Sequence, residues 1–280
     1  EGYWNPKVTL AHNETELETR EVPLSAPDTT IVYTGITESL SATLKNVFHT
    51  RLASVSTGVD YYDDSAVFRF EGDPDLEENA QNTGAFLQVR QPVGVRYDQQ
   101  DFTGTDDSEH DDSGVSSNVF AEFFVNDHLS FNAGYADVWG GTALAENFIL
   151  NGAWDYGDQK PVEAYNHTFG GKADWNGFFA ETNRFETRIS NGRVPSFSVG
   201  PNEVADFDIE GYDVSLGYIG QRGEVSVKYA NIESKKDGEP ATSFDGNYFT
   251  APLGEIITIS GAFRMPTLAL ELGMSTEITL

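Results

Sequence analysis

The side chains in this sequence that could do chemistry are mostly carboxylates. The run Asp106-Asp107-Ser108-Glu109-His110-Asp111-Asp112 gathers most of a hard-cation ligand set within one short stretch. Oxygen donors of this kind suit Ca²⁺, so Asp106, Asp107, Glu109, Asp111 and Asp112 are the candidate metal ligands, although their spacing is not that of an EF-hand loop. The acidic stretch carrying Asp63, Asp64, Asp73, Asp75, Glu77 and Glu78 invites the same reading. The histidines His12, His49, His110, His128 and His167 are scattered and never fall at metal-ligand spacing. His110 lies between Glu109 and Asp111, where neighbouring charge favours the imidazolium, but its plain reading is a solvated loop histidine. No serine sits in a nucleophile elbow. Cysteine is absent, which excludes disulfides, thiolate catalysis and thiolate metal sites. Gly140-Gly141 and Gly170-Gly171 read as strand bends, because no helix follows either pair to make a phosphate site. The chain therefore reads as non-enzymatic and without a cofactor. With 45 acidic against 17 basic residues and a net charge of -28, it would repel phosphates, so nucleic acid is not an expected partner.

Strands must position these groups. From His128 to Trp139, Leu129, Phe131, Ala133 and Tyr135 share one face while Ser130, Asn132, Gly134 and Ala136 share the other. An apolar outer face alternating with a polar inner one is the pattern of a membrane β-barrel. Val55-Thr57-Val59-Tyr61, Tyr212-Val214-Leu216-Tyr218, Val225-Val227-Tyr229 and Leu268-Leu270-Leu272-Met274 repeat it. No apolar run of about 18 residues exists, so no transmembrane helix is expected, whereas a barrel strand needs only about 10 residues. Helical periodicity is nearly absent. Short turns are expected at 126–127, 176–177, 220–223 and 264–266, and long loops at 98–114, 139–160, 190–207 and 233–253. Asn176-Gly177 is the strongest hairpin signal. Asn13 to Asp28 and Asp63 to Asn82 read as loops, and Ala85 to Arg90 and Val93 to Tyr97 as short strands. Aromatics near strand ends, such as Tyr97, Trp175, Tyr212 and Tyr218, suit interfacial girdles. The expected fold is all-β: an antiparallel up-and-down transmembrane β-barrel, or a partial barrel of roughly 12–14 strands, in a single domain spanning 1–280.

From about Val115 onward the order of motifs resembles the barrel of TonB-dependent outer-membrane receptors, in its C-terminal part. Gly134-Tyr-Ala-Asp-Val-Trp-Gly-Gly-Thr-Ala-Leu-Ala-Glu-Asn-Phe148 is similar to the family's strand exit into an extracellular loop, with Thr142 where the pattern has proline. Lys160-Pro161-Val162-Glu163 resembles the re-entry into the next strand. Phe178 to Ile189 and Ile209-Glu-Gly-Tyr-Asp213 resemble two further strand motifs, Asp213 replacing a glutamate. The likeness is closest to receptors of the haem and iron-complex type, although residues 140–160 lack the histidine that haem receptors often carry there. The family's plug domain and TonB box are not found, nor is its terminal aromatic strand, so the chain is expected to be a fragment of a larger receptor barrel. The resemblance implies residence in the bacterial outer membrane, lipid contact, coupling to TonB through a plug domain not present in this chain, and uptake of a small-molecule or metal-complex ligand. Trp139, Trp154 and Tyr156 would offer stacking surface to that ligand, and Asn147 and Asn151 hydrogen bonds. A plug-less passive channel and a soluble β-rich binding domain are the alternative readings.

Overall fold

The computed structural model describes residues 4–22, 25, 28, 30–50, 53–70, 72–89, 93–144, 150, 154–157, 159–194, 200–201, 204–241, 254–265 and 270–279. The strands are β1 (Pro6–Glu21), β2 (Ile31–His49), β3 (Ser54–Phe70), β4 (Leu76–Val89), β5 (Val93–Thr103), β6 (Glu109–Asn126), β7 (Leu129–Gly141), β8 (Trp154–Asp155), β9 (Val162–Trp175), β10 (Phe178–Arg193), β11 (Gly200–Pro201), β12 (Val204–Gly220), β13 (Gly223–Lys236), β14 (Glu239–Pro240), β15 (Gly254–Met265) and β16 (Leu270–Thr279). One 14-stranded sheet follows chain order, apart from the short β14, which pairs with β13. The fold is thus an antiparallel up-and-down sheet, as alternation required. β8 and β11, a two-residue parallel pair, lie off it and join the segment after β7 to the segment after β10.

Two compact units make up the chain. The first comprises Glu1–Ser117, Val138–Glu163 and Asn191–Ala205; the second comprises Asn118–Asp137, Ala164–Ser190 and Asp206–Leu280. In the first, the register aligns Val8, Leu44, Val59, Ala85 and Tyr97 in one row across β1–β5. Val8, Leu44, Val59 and Tyr97 are solvent-facing, so the apolar face points outward. One residue along, the opposite face carries Thr43, Asp60, Gly84 and Asp98, and further rows carry Ser41, Tyr62, Asn82 and Gln100. The second unit repeats the arrangement. Leu216 pairs with Val227 and Val227 with Ile259, while Gly217, Ser226, Ser260 and Ser275 line up on the other face. An apolar exterior over a polar inner face is what lipid on one side and water on the other select.

Strands replace several expected loops. β1 runs to Glu21, β3 to Phe70, β4 begins at Leu76 and β5 reaches Thr103, so the acidic stretches 13–28, 63–82 and 98–114 are largely strand. β4 and β5 are 14 and 11 residues long, not two short stubs. The register shows why. Beyond the row of Leu10, Ala42 and Tyr61, the outer row becomes His12, Leu40, Asp63, Gln81 and Asp101. β2 and β3, at 19 and 17 residues, exceed the roughly 9–11 that cross a bilayer. Past the apolar belt both faces meet water, alternation disappears, and polar strand reads as loop.

The turns hold closely. Asn176 and Gly177 both adopt positive φ, 52° and 87°, as a type I′ hairpin demands. The turn after β6 is Asp127–His128, one position later than expected, where the His128 N–H donates to Asn126 Oδ1 at 2.8 Å. Leu268 and the turn proline Pro266 lie outside the described residues.

The outward face makes a direct prediction. In the protein refolded into lipid vesicles, Leu216→Arg should destabilise the inserted state by about 2–4 kcal/mol, whereas Thr258→Arg on the polar face should cost less than about 1 kcal/mol. Urea titration with a heat-modifiable gel shift reads both; equal costs would reverse the assignment of faces.

Candidate functional site

The loop ends of the first unit converge on a buried polar knot. Glu78, two residues into β4, is 0% exposed, and Arg193, the last residue of β10, is 7% exposed. They form a bidentate pair, Arg193 Nη1 donating to Glu78 Oε2 at 2.9 Å and Nη2 to Oε1 at 2.6 Å. Nη1 also donates to the Ala143 carbonyl at 3.0 Å, which fixes the start of the segment 142–161. The Tyr156 hydroxyl donates to Glu78 Oε1 from above. The guanidinium lies over the Trp154 ring, 5.0 Å from its centroid, and 5.6 Å from that of Tyr156. An arginine suits this position because its planar fork can serve a carboxylate with its edge and aromatic rings with its face.

An apolar layer seals the knot. Phe102, Ala80, Leu150, Trp154 and Tyr156 are buried together, and Phe68, Leu76 and Leu144 pack against them. The Tyr156 ring lies flat on Gly104, where a Cβ would stand 2.6 Å from it, so only glycine fits beneath. The segment is fastened twice more. Gln100 Nε2 donates to the Thr142 carbonyl at 3.2 Å, and its Oε1 accepts the Thr142 N–H at 2.6 Å. Gly141 makes that approach possible with φ 69° and no side chain, since a Cβ would stand 2.4 Å from Gln100 Oε1. Asp106 accepts the Ser108 N–H at 3.0 Å and the Tyr156 N–H at 3.2 Å. Burial opposes ionisation of Asp106, but these N–H donors outweigh it and hold its carboxyl below the usual carboxylate range. Tyr156 goes the other way: burial, then the Glu78 charge and hydrogen bond, push its phenol up to about 12.

The expected site residues divide accordingly. Trp154 and Tyr156 are brought together, with ring centroids 6.5 Å apart, but both are buried against protein and do not face solvent. Trp139 is also buried, lying on Gly114, and its N–H donates to Ser116 Oγ at 3.0 Å. Asn147 and Asn151 lie outside the described residues. The five carboxylates are not gathered. Asp106 is engaged by backbone donors, Asp107 has φ 62° in the turn, and Glu109 and Asp111 fall on the exposed face of β6 while Asp112 falls on the other. Among the described residues, no group of three or more His, Cys, Asp or Glu side chains could hold a metal ion. His110 is not a solvated loop residue. It sits in β6 with its ring 6.3 Å from that of Phe102, and its Nε2 is buried without a hydrogen-bond partner among the described residues. Glu78, Gln100 and Arg193 were not singled out as anchors, because each acts through a contact remote in sequence. The glycines Gly104 and Gly141 at strand ends were the available signal.

The knot yields two predictions. Glu78→Gln or Arg193→Met alone should destabilise this end by about 3–5 kcal/mol, while the double change Glu78→Leu/Arg193→Met should recover most of the loss, because a lone buried charge costs more than an apolar pair. Limited proteolysis of the segment 142–161 measures the order; a double variant worse than both singles contradicts it. The raised Tyr156 value means that its contribution is complete below the phenol's ordinary 10.0 and is lost as pH climbs through about 12. Trp154 fluorescence should therefore shift between those limits in the protein and stay flat there in Tyr156→Phe.

No family model matches the chain. Curated relatives do. The chain is 23% identical over 291 residues to the "Heme transporter BhuA" of Brucella ovis, covering 96% of this chain and 42% of the relative, and matches the Brucella abortus protein of that name to the same extent. It thus spans about two fifths of the length of these relatives. Among solved structures, the copper transporter OprC superposes with TM-score 0.74 at 14% identity, over 93% of this chain and 46% of that one. The FrpB iron transporter from Neisseria meningitidis gives TM-score 0.74 at 13% identity, over 99% and 49%. These relatives are transporters, not enzymes. In sequence and in strand architecture the chain resembles the barrels of TonB-dependent receptors of the bacterial outer membrane, and that membrane is its place in the cell.

Proposed function

We propose that this chain is the barrel portion of a TonB-dependent receptor that imports a scarce nutrient, an iron complex such as a siderophore or haem. The observation that carries the reading is the 23% identity to a haem transporter across 96% of the chain. The polar inner face, where Lys228 lies 3.6 Å from Asp213, supplies a water-compatible wall for passage. Recognition falls to the segment 142–161. Within it Trp154 and Tyr156, buried beside Arg193 and Phe102, hold the segment in place, while Asn147 and Asn151 are the hydrogen-bonding residues offered to the ligand. The carboxylates Asp106, Asp107, Glu109, Asp111 and Asp112, separated as they are, make the loop end electronegative. Energy comes from TonB through a plug domain carried by the remainder of a longer protein.

The test is uptake of radiolabelled iron complexes by cells expressing the full-length protein that carries this chain. Uptake should require TonB and should fall by about tenfold or more, on the order of one anchoring contact, in Arg193→Met with the protein still in the outer-membrane fraction. Uptake that continues at full rate without TonB would favour the passive channel and overturn the receptor reading.

A further inference from the structure

We infer that the lipid-facing side of the second unit holds one glycerophospholipid at the short-turn end, its two acyl chains in two adjoining grooves and its phosphate on Arg222. The grooves lie on either side of a ridge formed by Tyr218 and Val225, which pair across β12 and β13. The first has a volume of about 780 Å³. Ala173 and Ala180 give it a shallow floor, and the exposed Trp175, Phe178, Leu216 and Val227 give it walls. The second, of about 840 Å³, opens where three outward positions have no side chain. The register places Gly220 and Gly223 in one row with Phe263 and Leu272, and Gly261 in the next row between Val225 and Met274. Small residues flanked by large ones let a lipid tail gain dispersion contacts from below and from both sides, which an evenly studded face would not offer.

The mouth of these grooves has the chemistry of a membrane interface. The short turns of an outer-membrane barrel face the periplasm, so this end meets the headgroups of the periplasmic leaflet. Trp175 lies against His128 with ring centroids 4.9 Å apart, and Phe178 against Tyr218 at 4.7 Å, an aromatic rim of the kind that sits at headgroup level. Gln221 and Arg222 form the turn that closes β12 on β13, close to the ridge, and Arg222 is exposed beside the second groove. Its charge is unclaimed. Elsewhere in the second unit Arg184 lies 3.7 Å from Glu210, Arg188 pairs with Asp208, and Arg264 lies 3.0 Å from Glu271. Arg222 has no ion-pair partner among the described residues. Glu224, the nearest acid in sequence, belongs to the polar face, in the row of Ala262 and Gly273. Asp174, at the mouth of the first groove, is faced by His128 at 3.5 Å. An unpaired arginine in a chain of net charge -28 suits an anion, and its planar guanidinium can hold two phosphate oxygens at once. Two apolar grooves beside one cation match a lipid with two chains and one phosphate better than a single-chain or an uncharged lipid.

The experiment is native mass spectrometry of the full-length protein, stripped of lipid in detergent and titrated with dioleoyl phosphatidylethanolamine, with its single-chain lysolipid, or with dioleoylglycerol, which lacks the phosphate. One diacyl phospholipid should bind first, at least about tenfold more tightly than either of the other two lipids, as loss of a charge-assisted contact or of a packed chain requires. Arg222→Gln should lower the affinity for the phospholipid about tenfold and leave that for dioleoylglycerol unchanged. Ala180→Phe, which fills the first groove, should reduce phospholipid binding to the level of the lysolipid. A heat-modifiable gel shift reports that each variant keeps its barrel. A ladder of bound lipids with no preferred first one, equal affinity for the three lipids, or phospholipid binding untouched by both variants means that only the ordinary lipid shell covers this face, and overturns the inference. The comparison of the three lipids on the unaltered protein decides it even where a variant fails to fold.

Discussion

Everything in this chain follows from a constraint on its backbone: inside a bilayer no water can satisfy an N–H or C=O group, so each must find its partner in the protein. A sheet that grows strand by strand in chain order meets the demand for every strand between its two edges, β1 and β16. Each strand of the register β1–β5 is paired to its neighbours along its length, and the side chains are left to sort by face. Lipid then selects Val8, Leu44, Val59 and Tyr97 on one side, and water selects Thr43, Asp60 and Asp98 on the other. Because the ladder satisfies the backbone of the strands between the edges, the side chains of their polar face are not needed to hold them together. They are free for ion pairs that specify position.

How far the sequence could be read follows from the same physics. Within the apolar belt the alternation around Phe131 and Tyr135, or around Val214 and Leu216, exposes the strand directly, and Asn176-Gly177 fixes its hairpin by a backbone conformation that few residue pairs adopt. Above the belt the rule that created the pattern no longer acts. Asp63, Asp64, Asp101 and Asp111 lie in strands held by the continuation of the ladder, not by any preference of their own. The knot was less legible still. Glu78 looked like one more acid in an acidic run, and nothing near it in sequence marks it as the partner of Arg193. The aromatics Trp154 and Tyr156 were visible as special, but their burial came from Gly104 and Phe102, which are remote from them along the chain.

The same separation explains the charge economy. A strongly acidic chain has few cations, and the described arginines of the first unit are each placed against carboxylates. Arg96 holds Asp60 to Asp98 across three strands of the sheet, and Arg193 holds Glu78 beneath two aromatic rings. Both use the breadth of the guanidinium, which a lysine ammonium could not supply. What remains unneutralised is almost entirely negative and sits where water, not lipid, is the neighbour.

The Glu78–Arg193 pair also carries a message about time. Each hairpin joins residues close in the chain and can form locally, whereas this pair spans 115 positions. It cannot close until the strands between its partners have been laid side by side, because loop closure over such a distance is entropically unfavourable without them. The knot is therefore a late contact in assembly. Once made, it records that the intervening strands have reached their register, and Ala143, Trp154 and Tyr156 take their places only in a protein that has otherwise finished folding.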